Sequence, residues 1–535
     1  MEDKEAEPSP TEQNFLSEFD NVFELVNSFG RYQKIVYFTS CFLILLLSFP
    51  FGFMVFGFAT PNFQCAVENS TCAINKCCNN CTSYMFIKPP FTTVVTEFNT
   101  VCNRAYLNAV IQSCMFVGMW IGAVFSGMIS DAFGRKKCIF LCNGIMTVAG
   151  FASSFSDCVS LMAFLWFIMG FGLTGLTLSQ YIYVMEIVGP KARTMAGNIN
   201  WLYWSAGYFL YVLLAYYIRE WRILMAVSSI PGVLLFLFWK IFPESPRWLV
   251  AHDKLDEAHA ILIRFGGKSK ENLDPNRLKS FLEDVRKTQF HLQHGTKVFS
   301  PVSLCKTPKL RKWSAALGVN WFATSFLANA LFLYVTSLSG NIYLNFTIIQ
   351  VIATVQQPFL WILLKMFGRR IPHMAVMLTI SVLVFSVLIV PSKYPMVKSG
   401  LFLGAAGITF CLWTTIYMIT SELYPTVIRN TAQGTGSMVG RTGAISAPYV
   451  AMLARIPGVS VAVPVVIFGV ISLIAGVVAL IIPETLFIPM HQTIEEAENA
   501  DEDYGIPRCG KPRRNSKHAA QANAPLANDD LDIKL

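Results

Sequence analysis

One arginine stands where an isolated charge would be costly. Arg441 lies twelve residues after Arg429, in the otherwise uncharged segment 432–454. If that segment is a membrane-crossing helix, a rise of about 1.5 Å per residue places the guanidinium about 18 Å deep, near the middle of the hydrocarbon core. A charge there costs about 3 kcal/mol unless it faces water or a counter-ion. No acidic residue falls at that depth in any apolar segment. The position of Arg441 therefore favours an anionic solute as its counter-ion.

Packing is the alternative explanation for Arg441, because helix carbonyls and water can also neutralise a buried guanidinium. The segment is rich in glycine, which lets membrane helices approach closely; the glycines are Gly434, Gly436, Gly440 and Gly443. Its weak hydrophobicity indicates a helix that does not face lipid all round. In both interpretations Arg441 points away from the acyl chains.

Aromatic residues recur at helical spacing in two other apolar segments. Trp204 and Tyr208 lie four residues apart, and so do Trp413 and Tyr417. Rings on one helix face could stack on flat amphipathic organic solutes, although aromatic residues in membrane helices also serve packing and the interface belt. These four residues are candidate substrate-binding residues.

A second set of charged residues lies where apolar segments end. The stretch Gly127-Met-Ile-Ser-Asp131-Ala-Phe-Gly134-Arg135 combines glycines that permit a tight turn with an aspartate that can accept from a helix N terminus or a basic side chain. Such a bond can form in one conformation and break in another. The alternative for any single residue is interfacial charge that only anchors a helix end.

Three charged motifs occur twice, in the same order and 234 to 240 residues apart. The pairs are Gly134-Arg135 with Gly368-Arg369, Glu186 and Arg193 with Glu422 and Arg429, and Pro243-Glu244 with Pro483-Glu484. This duplication indicates two parallel halves. The paired glutamates and arginines fit an ion-pair network with two states.

The elements that must position these residues are membrane helices. Of the 535 residues, 54% are hydrophobic and 14% are charged, against about 25% charged in soluble domains, which argues against a soluble enzyme or a nucleic-acid-binding protein. Apolar windows of about 20 residues can cross a bilayer. They predict an all-α membrane protein with twelve spans near 35–59, 107–130, 138–156, 160–184, 197–218, 221–242, 313–335, 343–364, 372–391, 396–420, 432–454 and 461–482.

The charge distribution sets the expected orientation in the bilayer. The net charge is +9, and the basic residues concentrate in connections that are cytoplasmic if both termini are inside. Residues 1–30 are acidic and lack an apolar core after a basic start, so we expect no cleaved signal peptide. We expect a cytoplasmic N terminus at 1–34, a six-helix bundle at 35–242 with an extracellular loop at 60–105, a cytoplasmic loop at 243–312, a second bundle at 313–482 and a cytoplasmic tail at 483–535.

The expected extracellular loop combines sequons with cysteines. Asn69 and Asn80 each begin an N-x-[ST] sequon, so we expect glycosylation there. Clustered cysteines in an oxidising compartment favour disulfides, with 15 pairings open for six of them; they are Cys65, Cys72, Cys77, Cys78, Cys81 and Cys102. A zinc site is the weaker alternative, because the loop has no histidine and zinc needs reduced thiolates.

Several of these motifs resemble known families. The stretch from Gly127 to Lys137 resembles the signature loop of the major facilitator superfamily, although Lys365 stands where the second half would repeat Asp131. Further motifs resemble the organic ion transporter family, with sugar porters as near relatives; they are Glu186 with Arg193, Pro243-Glu-Ser-Pro-Arg-Trp-Leu249, Glu422-Leu-Tyr-Pro425 with Arg429, and Pro483-Glu-Thr-Leu486. The large cysteine-bearing loop also resembles the organic ion group.

The resemblance implies two six-helix bundles around a central cavity that opens alternately to each side. It places a group of charged residues and one glycine at a cytoplasmic gate; they are Asp131, Gly134, Arg135, Glu186, Arg193, Glu244, Arg247, Arg369, Glu422, Arg429 and Glu484.

The segment around Arg441 resembles the organic anion transporters in particular, as does the stretch Trp321-Phe-Ala-Thr-Ser-Phe326. Organic cation transporters usually carry an acidic residue where Arg441 stands, whereas carnitine transporters can also carry arginine. Trp204 and Trp413 match cavity aromatics of the anion branch.

Two positions depart from the anion branch. Its basic residue in the eighth span has no counterpart, since Gln356 and Gln357 occupy that region, and its tyrosines in the seventh span are replaced by Ala328 and Asn329. Asn329 and Gln357 are therefore added to the candidate substrate-binding residues.

These observations predict a secondary active or facilitative transporter of small organic anions or zwitterions, working by alternating access in the plasma membrane. Transport of organic cations or carnitine, or a transport-inactive receptor or scaffold, are the alternatives. The expected partners are the organic ion, a coupled or exchanged ion and the bilayer, with no nucleic acid. No H-E-x-x-H or G-x-S-x-G motif is present, so we expect no enzyme, metal or cofactor.

Overall fold

The computed structural model describes residues 19–66, 73–75, 77, 81, 84–87, 91–266, 275–295, 301–425, 428–456, 459–460, 462–486, 494–500 and 504–505. Internal contacts divide the chain into two compact units, Met1–Val298 and Phe299–Leu535. Both units are helical, as the apolar windows predict. They are called unit 1 and unit 2 below.

Unit 1 contains twelve α-helices within its described residues. They are α1 (Val22–Leu25), α2 (Arg31–Leu47), α3 (Phe49–Phe56), α4 (Val94–Glu97), α5 (Tyr106–Phe133), α6 (Arg135–Ser153), α7 (Val159–Ile187), α8 (Pro190–Tyr217), α9 (Trp221–Leu234), α10 (Pro246–Ala251), α11 (Leu255–Gly266) and α12 (Pro275–Gly295). Short 3₁₀ turns cover Phe19–Asn21, Cys102–Arg104 and Leu235–Lys240. The last three helices fill the polar insertion after the sixth predicted span.

Unit 2 contains eight α-helices within its described residues. They are α13 (Pro308–Tyr334), α14 (Ile342–Phe367), α15 (Arg370–Ile389), α16 (Pro395–Ile408), α17 (Phe410–Leu423), α18 (Arg429–Met452), α19 (Ala462–Val478) and α20 (Ile494–Asn499). Their 3₁₀ neighbours are Pro301–Cys305, Val335–Ser337, Leu453–Arg455 and Ala479–Ile481.

Helices occupy all twelve predicted spans, but not all of them are equally apolar. In the described part of the chain, nine helical segments are long and apolar enough to cross a membrane. The three more polar ones are α6, α8 and α18. Helix α6 begins with three consecutive basic residues, and α18 carries Arg429, Arg441 and several glycines. The number twelve therefore stays a prediction.

Glycines allow close contacts between helices inside each unit. A Cβ on Gly118 of α5 would lie 2.0 Å from the Phe167 carbonyl oxygen of α7, and one on Gly170 would lie 2.1 Å from the Met115 carbonyl oxygen. In unit 2, a Cβ on Gly443 of α18 would lie 2.5 Å from the Phe322 carbonyl oxygen of α13. Backbones that approach this closely need small residues, as is common in membrane bundles.

The loop between α3 and α5 contains strands that the sequence analysis did not predict. Strand β1 (Phe63–Cys65) pairs antiparallel with β2 (Tyr84–Phe86), with Phe63 opposite Phe86. Disulfides join Cys65 to Cys81 and Cys77 to Cys102. Among the cysteine and sequon predictions, Cys72, Cys78, Asn69 and Asn80 lie outside the described residues.

An ion pair fixes this loop to the bundle. Glu97, the last residue of α4, accepts from Arg222 Nε at 3.0 Å and from Trp221 Nε1 at 2.6 Å, both on α9. Burial opposes ionisation of Glu97, but its bonds to Arg222 and Trp221 hold its pKa below the usual value. Disulfides therefore join parts of the loop to each other, and the ion pair joins the loop to α9.

Candidate functional site

A glycine turn joins α5 to α6 at the end of unit 1 that carries the charged motif. Gly134 has φ +102°, a conformation that favours glycine, and a Cβ there would lie 2.3 Å from Glu244 Oε2. Glu244 Oε1 accepts from the backbone N–H groups of Lys136 and Ser245, each at 3.0 Å. A carboxylate at this position complements the positive end of the α6 dipole. The glycine thus makes room for an acidic cap from a distant segment.

Arg135 connects α5, α6 and α7 at the same end. Its Nε and Nη2 atoms donate to the two carboxylate oxygens of Glu186, each at 3.2 Å. Its Nη1 donates to Asp131 at 2.6 Å and to the Ser130 carbonyl at 2.9 Å. The Arg135 and Glu186 side chains are only 12% and 11% exposed, so this two-pronged ion pair is largely shielded from water.

Arg193 binds a residue that the sequence analysis missed. It donates to both carboxylate oxygens of Asp20, at 2.7 and 2.8 Å, whereas Glu186 is held by Arg135. Arg247 lies 4.0 Å from the same carboxylate. The hydrogen bonds from Arg193 hold the pKa of Asp20 below its usual value, against the opposing effect of burial. The polar segment before α2 is thereby fixed to the charged end of unit 1.

Unit 2 repeats the glycine turn and the acidic cap. Gly368, between α14 and α15, has φ +83°, and a Cβ there would lie 2.3 Å from Glu484 Cδ. The Glu484 carboxylate accepts from the backbone N–H groups of Arg369 and Arg370, at 2.8 and 3.2 Å. It also accepts from the N–H of Thr485 at 3.0 Å. Pro-Glu segments from different parts of the chain therefore cap equivalent helices.

The ion pair is repeated as well. Arg369 donates from Nε to Glu422 Oε2 at 2.9 Å and from Nη2 to Oε1 at 3.0 Å. Thr485 donates its hydroxyl to Glu422 at 2.6 Å. The arrangement differs at Lys365, whose ammonium lies 3.9 Å from the centroid of the Trp361 ring, a cation–π contact where unit 1 has the bond from Arg135 to Asp131.

Arg441 lies beside an aromatic cluster inside unit 2. The cluster consists of Trp321 on α13 with Trp413 and Tyr417 on α17. Trp321 contacts Tyr417 and Trp413 with ring centroids 4.8 and 6.3 Å apart. Arg441 is half-buried, and a Cβ on Gly440, the residue before it, would lie 3.4 Å from Trp321 Cε3. The part of α18 that carries Arg441 therefore packs against Trp321, which contacts two of the predicted aromatic residues.

Trp321 is the centre of this cluster, and the sequence analysis did not name it as a site residue. Its Nε1 donates to Thr420 at 3.1 Å. A Cβ on Gly436 would lie 2.5 Å from Trp321 Nε1, so the glycine face of α18 fits against this indole. The glycines flanking Arg441 indicated a close helix contact, but they did not identify Trp321 as its partner.

The two amide candidates of unit 2 are half-buried. Asn329 on α13 donates to the Ser325 carbonyl of its own helix at 2.8 Å. Gln357 on α14 accepts from the Thr414 hydroxyl at 3.5 Å, and Thr414 directly follows Trp413. Gln357 is thus bonded to the helix that carries Trp413 and Tyr417, and Asn329 lies two helical turns from Trp321.

The aromatic candidates of unit 1 form their own group. Trp204 contacts Tyr208 with ring centroids 5.9 Å apart, and Phe51 of α3 at 5.6 Å. Tyr208 is 4% exposed, whereas Trp204 is half-buried. Phe51 was not predicted, since a phenylalanine among many in an apolar run carries no distinguishing pattern.

Comparison with known sequences agrees with these motifs. The sequence model of the sugar (and other) transporter family matches residues 40–497. An organic cation transporter protein of Drosophila melanogaster is 29% identical, covering 90% of this chain and 94% of that protein. Organic cation/carnitine transporter 2 of Homo sapiens is 29% identical, covering 76% and 72%. Organic anion transporter 3 of Oryctolagus cuniculus is 32% identical, covering 76% and 74%.

The fold also matches solved structures. The xylose transporter XylE from E. coli, in an inward open conformation, superimposes with a TM-score of 0.64 at 16% identity, covering 87% of this chain and 99% of that chain. These relatives are transporters, not enzymes, and their common architecture is the major facilitator fold. The chain therefore belongs to the sugar (and other) transporter family of the major facilitator superfamily and, within it, to the organic ion transporters.

Proposed function

We propose that this organic ion transporter carries small organic anions or zwitterions, and that Arg441 supplies the attracting charge. The carrying observation is its position halfway along α18, which runs from Arg429 to Met452. In the described spanning helices, each carboxylate lies within two residues of a helix end; these are Asp131, Glu186 and Glu422. The interior of the spans therefore has a cation but no acidic residue to attract cationic substrates.

The side chains of α14 and α17 support an organic ligand. Trp413 and Tyr417 offer aromatic surface, and Gln357 offers an amide, within the same part of unit 2. Aromatic faces with a few polar groups suit amphipathic solutes. The names of the relatives include organic cations, carnitine and organic anions, so the side chains of this chain decide between these substrate classes.

The duplicated charged ends support alternating access. Arg135 with Glu186, and Arg369 with Glu422, are shielded two-pronged pairs at corresponding helix ends. Such pairs stabilise one conformation and must separate, or become hydrated, for another. In the proposed cycle these residues hold the cytoplasmic side closed, and Asp131 adds a bond that unit 2 lacks.

The proposed location is the plasma membrane, with both charged ends facing the cytoplasm. The basic residues at Arg135–Lys137 and Arg369–Arg370 follow the positive-inside rule. Enzymatic deglycosylation should shift the electrophoretic mobility of the wild type, and an Asn69→Gln, Asn80→Gln double variant should lose that shift. A shift that persists in the double variant would contradict the assigned sites.

An uptake panel tests the proposed substrate class. Cells expressing the protein at a measured surface amount would receive radiolabelled anionic, cationic and zwitterionic organic solutes. The proposal expects accumulation of anions or zwitterions above cells without the protein. Accumulation of cations alone would move the organic cation alternative ahead, and accumulation of nothing in the panel would favour the receptor or scaffold.

A further inference from the structure

An open groove of about 650 Å³ lies on unit 1. It begins beside the charged end, at Lys137, and none of the gate or aromatic candidates lines it. One wall is a face of α6, where lining residues recur every three or four positions from Lys137 to Ala152. The other walls come from α7, through Leu165 and Ile168, and from the 3₁₀ turn after α9, through Phe236 and Trp239. Lys137 is the one charged residue among those that line it.

The lining of the groove is apolar along its length and suits a hydrocarbon chain. Apart from Lys137, its lining side chains are apolar, and Gly144 leaves the wall open at its centre. A Cβ on Gly144 would approach no other atom more closely than Phe236 Cζ, at 3.4 Å. From Lys137 to Ala152, α6 rises about 22 Å, about three-quarters of the thickness of a hydrocarbon core.

One end of the groove carries positive charge. Lys137 is exposed, and no hydrogen bond or ion pair joins it to another residue that the structure describes. The ammonium of Lys136 lies 4.4 Å from the centroid of the Trp239 ring, which lines the same end. Tryptophan and lysine at the end of a membrane helix mark the headgroup level.

We propose that this groove binds one anionic phospholipid of the surrounding bilayer, with an acyl chain along α6 and the phosphate at Lys137. Apolar length fits the chain, and the cationic end complements the headgroup charge. The bound lipid would fill the space between α6, α7 and the end of α9, so its class would affect the stability of unit 1. This site is independent of the substrate proposed for Arg441.

Lipid binding can be measured on the purified full-length protein by native mass spectrometry. The probes are 1-palmitoyl-2-oleoyl phosphatidylglycerol and the phosphatidylcholine with the same chains, so that only the headgroup differs. We expect phosphatidylglycerol to bind about fivefold more tightly than phosphatidylcholine, which is the effect of one lysine at a membrane surface. Lys137→Gln should bring the ratio close to one, and Gly144→Leu, which fills the groove, should weaken both lipids.

Matched controls lie in unit 2. Lys393→Gln removes an exposed lysine, and Gly400→Leu adds the same side chain at an exposed glycine with nothing within 4 Å of its Cβ position; both should bind lipid like the wild type. If Gly144→Leu fails to fold, Val148→Trp fills the groove from a position that is 69% exposed. A headgroup ratio unchanged by Lys137→Gln would overturn the proposal. So would a shift by Gly144→Leu from dimer to monomer, which would identify the groove as a contact between copies.

Discussion

Arg135 donates a hydrogen bond to each carboxylate oxygen of Glu186 at 3.2 Å, although 51 positions separate the two residues. The same relation joins Arg369 to Glu422, 53 positions apart. In each unit the arginine follows a glycine with positive φ, and a Pro-Glu segment caps the helix that begins there. The sequence repeat is thus a repeat of one three-part geometry.

Removing Arg135 should affect both stability and transport. Arg135→Ala leaves the Glu186 carboxylate largely buried without its two-pronged partner, which costs about 3 kcal/mol. The transport rate per molecule should fall more than surface expression. Arg135→Lys keeps the charge but loses the planar donor pair, so its loss should be smaller. Thermal unfolding and uptake by the purified variants check this, with Arg31→Ala, at an exposed position, as the control. A melting temperature and an uptake rate like those of the wild type in Arg135→Ala would show that the ion pair only anchors a helix end.

The two glycine turns should tolerate no side chain. Gly134→Ala and Gly368→Ala force a Cβ into positive φ, at a cost of about 1–2 kcal/mol, and place it 2.3 Å from a capping glutamate. Both variants should lower the melting temperature. Gly127→Ala is the matched control, because nothing lies within 4 Å of its Cβ position and alanine favours helix. Equal melting temperatures for Gly134→Ala and Gly127→Ala would contradict the cap geometry.

The bond between Asp20 and Arg193 predicts a pH dependence with a defined sign. Because Arg193 holds the pKa of Asp20 below its usual value, the carboxylate stabilises the folded state above about pH 4 and loses that contribution as the pH falls further. The melting temperature of the wild type should exceed that of Asp20→Asn at pH 6 and 7. The gap should shrink below about pH 4. A gap of constant size from pH 7 to pH 3 would rule out the ionised pair.

The cysteine loop offers a direct chemical check. Non-reducing peptide mapping should recover Cys65 linked to Cys81 and Cys77 linked to Cys102. A double Cys77→Ser, Cys102→Ser variant should be less stable by about 3 kcal/mol, because that bond closes a loop of 25 residues. A peptide linking Cys65 to Cys102 would refute this pairing.

The helices were predictable because length and hydropathy are local properties of the chain. The charged ends were predictable as a set, since each motif occurs twice, but their partners were not. Arg193 binds Asp20 across 173 positions, and Asp20 lies in a polar segment with no motif. Strands β1 and β2 were not predictable, because three residues are too few to show an alternating pattern.

The aromatic site shows the same limit. Tyr417 and Arg441 are predictable as individual residues of unusual type and depth. The position of Trp321, between Tyr417 and the helix that carries Arg441, depends on the fit of its indole against Gly436. That is a contact between helices, which no single segment encodes. Residue type thus predicts candidates, whereas helix packing decides which candidates meet.

The central claim is that Arg441 attracts the negative group of the substrate, and one charge series tests it most directly. Uptake of an organic anion identified in the panel should be compared, at matched surface amounts, among the wild type, Arg441→Lys, Arg441→Ala and Arg441→Asp. Loss of a desolvated charge partner should weaken anion affinity at least about 30-fold in Arg441→Ala, less in Arg441→Lys, and Arg441→Asp should raise the ratio of cation to anion uptake. Equal anion affinity in the wild type and Arg441→Ala would contradict the claim.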